Sequence, residues 1–271
     1  MGWSKPIAAM TACMAMLGGP AACAHEFWMV PDAFRAADDS VMLAMRVGEN
    51  FSGELVGLSA PFITQLHRLA GGKSEDLRDF IPAAPAAAMA VPVAASGTQL
   101  FWADTQASRV VLDAGRFHAY LHDEGLDAII AAREKAGAAE TPGRERFRRN
   151  VKTLVSAGGE PGSAALQATG QRLEILPLSD PAGAAAGRDL PFQVLWDGKP
   201  LANALVKLWH RRAGQLLLIR VVTNAQGKLL ATPPFAGVWM ASVVHMVPAV
   251  DSAQDDWDSY WGSLTFELRD R

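Results

Sequence analysis

The chain has 271 residues, half of them hydrophobic and a fifth charged, with a formal net charge of −3. This balance excludes a disordered chain and describes a globular protein with material for one large core or two small ones. It also offers no basic surplus for nucleic acid.

Residues 1–24 carry a single charge, Lys5, followed by an apolar run over 6–17, a Gly18-Gly19-Pro20 break and Ala22-Cys23-Ala24. That succession is the pattern of a cleavable secretory signal. Its apolar run is shorter than the ~20 residues of a membrane span. Cleavage after Ala24 is expected, with a mature chain in the periplasm. The rival is lipoprotein anchoring at Cys23, but Pro20 stands where the usual leucine would precede the acylated cysteine. Cleavage removes Cys13 and Cys23 together, and with them disulfides, thiolate metal sites and cysteine nucleophiles. No later apolar run reaches membrane length, so the mature chain is not expected to span a membrane.

After His25 comes an apolar stretch at 27–30, then a run at 41–47 in which Val41, Leu43, Met45 and Val47 alternate with other residues, as in a half-buried strand. Loop residues fill 48–54. Another strand is predicted at 62–69, with Phe62, Thr64, Leu66 and Arg68 on one face and His67 on the other. The Ala/Pro-rich stretch 81–97, with Pro82, Pro85 and Pro92, reads as a surface connection. Strand character returns at 99–102 and 108–112.

From Gly115 the spacing turns helical. Phe117, Tyr120, Leu121, Leu126, Ile129 and Ile130 form the apolar positions, and Gly125 divides two pieces. Pro142 is suited to a first helical turn, and the run from Arg144 to Lys152 reads as a basic helix with Phe147, Val151 and Leu154 as its buried stripe. A strand at 171–178 and a Pro/Gly/Ala linker at 179–187 follow. Strands at 190–196, 204–210, 215–223, 239–247 and 263–268 then crowd the last part. The expected fold is mainly β. It has two antiparallel sandwich domains, immunoglobulin-like or transthyretin-like, at 25–180 and 188–271, with a helical insert at about 115–157 in the first.

The sharpest candidate for chemistry is His25. If it becomes the first residue, it offers a metal its free amine and its ring. A second ligand is needed, and His245 is the best partner, near the end of the predicted strand 239–247. His118 and His122 stand four apart on a predicted helix, most simply on its exposed face. His67 and His210 read as surface or strand-end residues. No Gly-x-Ser-x-Gly elbow, His-Glu-x-x-His or phosphate-binding glycine loop occurs, so no catalytic residue is assigned. The basic run at 144–152 would dock an acidic partner or simply face solvent.

Several stretches resemble the exported bacterial proteins of domain-of-unknown-function family 4198. They are His25-Glu26-Phe27-Trp28, the run from Arg46 to Gly53, Tyr120-Leu121 with Glu124-Gly125-Leu126, the run from Pro142 to Phe147, Val244-His245-Met246-Val247, and 257–266. The resemblance implies an exported, mostly β protein without established catalysis, linked in part, by association, to the periplasmic side of cobalt or nickel uptake. Of the histidines, only His25 and His245 lie inside the matching motifs and carry over as metal ligands. The C-terminal part also resembles transthyretin-like sandwiches at 199–204, 223–227 and 234–239, a likeness of fold and not of activity.

The expected function is therefore a periplasmic binding or accessory protein in nickel or cobalt handling, with copper as the alternative metal and an inner-membrane metal transporter as partner. Two other readings stand beside it. One is an interaction module that docks an envelope or transporter protein without metal, and the other is a copper-dependent enzyme using a terminal histidine.

Overall fold

The alternation that begins at Val41 builds the first sheet. In the strand Ser40–Glu49, Val41, Leu43 and Met45 are buried while Met42 is exposed. This strand pairs antiparallel with Glu26–Pro31 on one side, and with Ser52–Leu55 and Met89–Pro92 on the other, making a four-stranded sheet. The computed structural model describes residues 25–158 and 162–270, so the signal expected at 1–24 lies outside the described residues.

Met89–Pro92 corrects the reading of 81–97 as a connection only. Met89 and Val91 alternate with exposed Ala90 and drop into the core, and the strand ends at Pro92, which has no N–H to give. At the other end of Ser40–Glu49, Asn50 and Phe51 both have positive φ, 55° and 53°, and form the two-residue turn of a tight hairpin. Gly48 and Gly53 face each other below it. A Cβ on Gly48 would lie 2.1 Å from the carbonyl oxygen of Ser52, so the hairpin closes only with glycine there. Phe51 is a bulky residue in an unfavourable conformation. Its ring packs 5.3 Å from Trp28, which offsets that cost.

The largest sheet has ten strands. Along its main path run Gln215–Val222, Leu205–Arg212, Gly237–Pro248, Trp257–Leu268, Gly143–Ala157, Gly97–Thr105, Ile63–Ala70 and Lys73–Asp76. Arg35–Ala36 and Ser108–Leu112 add to Gly143–Ala157. One sheet therefore crosses the boundary expected at 179–187. The crossing is made by Gly143–Ala157, which pairs in parallel with Trp257–Leu268 from Glu145↔Trp257 to Thr153↔Thr265.

The basic helix expected at 144–152 is thus a central strand. Its arginines are matched across the ladder. Arg144 pairs with Asp256, and Arg146 and Arg148 both reach Asp258, at 2.6 and 3.2 Å. These long-range pairs and the β-branched Val151, Thr153 and Val155 outweigh helix propensity. The helical part is correspondingly shorter than 115–157. It consists of Ala114–Asp123, capped by Asp113 accepting from the Arg116 N–H at 2.9 Å, and Asp127–Lys135.

Both faces of the ten-stranded sheet are covered. On one face, Leu154, Tyr260, Leu264, Phe266, Trp239 and Val243 pack under a four-stranded sheet of Leu173–Pro177, Leu190–Trp196, Lys199–Pro200 and Lys228–Ala231. On the other, Val151 and Val155 pack under the first sheet, and Val244, Met246 and Trp261 pack under Phe117, Tyr120 and Leu121 of the first helix. The two ends of the sheet differ. Lys73–Asp76 is fully exposed and charged, whereas Gln215–Val222 is apolar with one charge, Arg220.

Inside the sheet, Lys152 and Glu174 are each 1% exposed and form an ion pair. Burial pulls the Lys152 ammonium below its ordinary range, opposed by the Glu174 carboxylate. Removing one member leaves the other charged and buried, which is far costlier than losing both charges. Lys152→Met is expected to destabilise the fold by about 3–5 kcal/mol in urea denaturation. Adding Glu174→Gln to that variant should recover at least half of the loss, and no recovery would mean the pair is not held as a unit.

Candidate functional site at the start of the first strand

His25 immediately precedes the strand Glu26–Pro31, whose register with Ser40–Glu49 pairs Glu26 with Gly48. That register brings Glu49 opposite His25. The His25 ring is partly exposed, yet its Nδ1 atom is buried and has no hydrogen-bond partner. Glu49 Oε1 lies 3.2 Å from it, close enough for an ion pair but outside hydrogen-bond geometry. The His25 backbone is tied down from the opposite side of the chain, where Arg149 Nη1 donates to its carbonyl oxygen at 3.1 Å.

Arg149 is held in an aromatic cage. Its guanidinium carbon lies 4.5, 5.1 and 5.9 Å from the ring centroids of Phe27, Phe147 and Trp261. Such contacts stabilise a cation without giving it water. Desolvation pulls Arg149 down to about 10, against the carboxylate of Glu145. Glu145 is itself buried and accepts from Tyr120 at 3.2 Å and from Ser259. Burial pushes the Glu145 carboxyl up.

The neighbouring Glu26 points into a second buried group of charges. It is 7% exposed, and burial first, then the negative charge of Glu124, push its carboxyl up to about 7. Glu124, on the turn after the first helix, is paired with Lys207 of Leu205–Arg212 at 2.7 Å. The motif His25-Glu26-Phe27-Trp28 therefore divides its work among four surroundings. His25 meets Glu49, Glu26 meets the Glu124–Lys207 pair, Phe27 stacks under Arg149, and Trp28 packs on Phe51, Trp209 and Met240.

The expected partner is elsewhere. His245 lies on the face of Gly237–Pro248 shared with Trp239 and Val243, with its ring 4.5 Å from that of Trp196. Arg149, which holds His25, pairs with Trp261 on the opposite face of the sheet. Residues of Trp257–Leu268 alternate in side, so Tyr260, under His245, and Trp261, beside Arg149, point apart. The structure does not bring His25 and His245 together. Burial lowers the His245 imidazole, against the pull of Asp197.

His118 and His122 are exposed on the first helix, and His67 stacks on Trp102 at 4.3 Å with Nε2 3.0 Å from Gln65. His210, read as a surface or strand-end residue, is buried inside the strand Leu205–Arg212. Parity with Val206 and Leu208 in the predicted strand was the available signal. Among the described residues no group of three or more His, Cys, Asp or Glu side chains is set to hold a metal ion. Glu49 lay in the family-matching run from Arg46 to Gly53 and Arg149 in the basic run, but nothing in the sequence tied either to His25; that connection emerges from the strand register. The basic run offered as a docking face is consumed by the ladder, with Arg144, Arg146, Arg148, Arg149 and Lys152 all engaged within the chain.

The family model described as domain of unknown function DUF4198 matches residues 22–247. Comparison with curated proteins gives no match. Among solved structures, a tetra-tandem repeat in the extending region of a large adhesion protein aligns over 91% of this chain and 50% of its own, at 10% identity and a TM-score of 0.23. This chain thus spans half the length of that structure. The chicken CNTN1 FN1–FN3 domains align over 87% of this chain and 65% of their own, at 11% identity and a TM-score of 0.23. Among the described residues no helix is long and apolar enough to cross a membrane.

The raised Glu26 carboxyl has a consequence for stability. The native state holds its proton up to about 7, against an ordinary value of 4.5, so ionisation opposes folding. The contribution is absent below about pH 4.5 and grows as pH rises to about 7, where stability has fallen by up to ~3 kcal/mol. Glu124, Lys207 and Glu49 face the same group and share in the titration. Glu26→Gln should flatten urea-denaturation stability across that window, measured with a chelator present, and should raise stability above pH 7. An unchanged slope would show that Glu26 does not titrate there.

Proposed function

The chain belongs to the DUF4198 family, and on that premise we propose an exported binding or accessory protein in divalent transition-metal handling, with His25 and Glu49 as its ligands. Nickel or cobalt is the metal, with copper as the alternative. The observation that carries this reading is the orphaned Nδ1 of His25, buried beside a carboxylate at 3.2 Å without a hydrogen bond between them. An imidazole nitrogen and a carboxylate oxygen so placed are suited to share a cation, and both are accepted by this group of metals. Cleavage after Ala24 supplies the third donor, the α-amine of His25, which can close a chelate ring with the same Nδ1. The Arg149 bond to the His25 carbonyl fixes the residue that must present both nitrogens.

His245 has no place in this site. The donors are nitrogen and oxygen only, and the remaining positions would be filled by water or by a group of the partner that receives the metal. An inner-membrane transporter is the partner proposed. Because the imidazole and the amine must be unprotonated to bind, affinity falls as pH falls.

Calorimetric titration of nickel, cobalt and copper into a chain that begins at His25 tests the reading. His25→Ala is expected to abolish tight binding, Glu49→Gln to weaken it about tenfold or more, and His245→Ala to leave it unchanged. A chain that keeps Ala24, and so masks the amine, should also bind weakly. Equal affinity in the parent and His25→Ala forms would remove the proposal.

A further inference from the structure

The buried His210 lines two adjoining clefts. The larger, of about 730 Å³, is walled by Arg35, Arg211, Arg212 and Arg269 with Glu267 and Asp270. The smaller, of about 380 Å³, shares His210 and Arg212 and continues along Leu216, Leu217 and Phe235. His210 is 3% exposed and its ring stacks on Trp239, 4.6 Å between centroids. Nδ1 lies 2.8 Å from the carbonyl oxygen of Val238, which only accepts, so Nδ1 carries the proton. Nε2 is buried and has no partner. An orphaned nitrogen of this kind is costly unless a ligand satisfies it.

The arginines around it are incompletely used. Arg211 donates through Nε to the Asn50 carbonyl, and Arg269 through Nε to that of Ala182. The Arg212 side chain makes no hydrogen bond among the described residues and lies over the Phe235 ring. Arg211 shares the face of Lys207 and Trp209, away from His210, whereas the terminal nitrogens of Arg212 and Arg269 remain free to donate, in the fork geometry that suits phosphate. Of the two carboxylates, Glu267 is occupied by Arg35 at 3.0 Å. The basic cleft thus leads directly into an apolar one.

We propose that the two clefts form one binding site for a small anionic amphiphile. Its head, a monoprotonated phosphate, sits between Arg212 and Arg269 with its P–OH donating to Nε2 of His210, and its apolar tail lies along Phe235, Leu216 and Leu217. The site shares no residue with the His25–Glu49 pair and needs no metal.

Four probes test it by calorimetry with a chelator present: hexanoate, hexyl phosphate, inorganic phosphate and hexylammonium. Hexyl phosphate should bind more tightly than hexanoate, which has no proton to give Nε2 of His210, and hexylammonium should not bind. Arg212 is exposed, so Arg212→Gln should fold with an unchanged melting temperature and weaken that binding about tenfold. The bound probe should also shift the His210 ring resonances in NMR spectra of the parent. Absence of hexyl phosphate binding, hexanoate binding as tightly, or equal binding to Arg212→Gln, overturns the site. Equal affinity for inorganic phosphate and hexyl phosphate overturns the apolar compartment.

Discussion

Everything else in this protein hangs on the parallel ladder between Gly143–Ala157 and Trp257–Leu268. Parallel pairing between strands 112 positions apart requires a long crossover, and here the crossover is most of the C-terminal half. Without the ladder there would be two sheets with two open edges. With it, there is one sheet buried on both faces, and strands in such sheets carry apolar side chains on both sides. That is why Val151 and Leu154 belong to different cores although they stand three residues apart. The acidic residues Asp256 and Asp258 then neutralise arginines that a lone strand would leave at a bare edge.

A sheet covered on both sides also partitions chemistry. The first strand and its charged groups lie on one face, with Arg149 anchoring His25 through a cage of rings. His245 and His210 lie on the other, each against a tryptophan. Sites on the two faces cannot share a ligand, so the metal site proposed at His25 and the anion site proposed beside His210 are physically separate. The hairpin tip at Asn50 and Phe51 reaches between them, with Phe51 on Trp28 and the Asn50 carbonyl on Arg211.

Much of this was legible in the chain itself. Alternation placed Ser40–Glu49, Gln215–Val222 and Gly237–Pro248 close to their true bounds, and the family resemblance rested on residues that prove to have structural work. Gly48 and Gly53 close a hairpin, Glu124 pairs with Lys207, and Glu145 holds Tyr120. What was not legible came from pairing at a distance. Phe147, Val151 and Leu154 fit a helical stripe because a strand buried on both faces loses its alternation. Strand parity puts His245 on the face of Trp239, but nothing local states on which side of that sheet the first strand will lie. Met89 and Val91 were hidden by the prolines around them.

The unlike ends of the large sheet limit how the molecule can associate. The Lys73–Asp76 end, fully charged and exposed, rejects an incoming strand. Gln215–Val222 presents free backbone groups with apolar side chains and no proline. A sheet with one receptive end can grow by one step only, open end to open end, after which both remaining termini are charged. Such a geometry stops at a closed pair and does not propagate into fibres, even where copies are crowded.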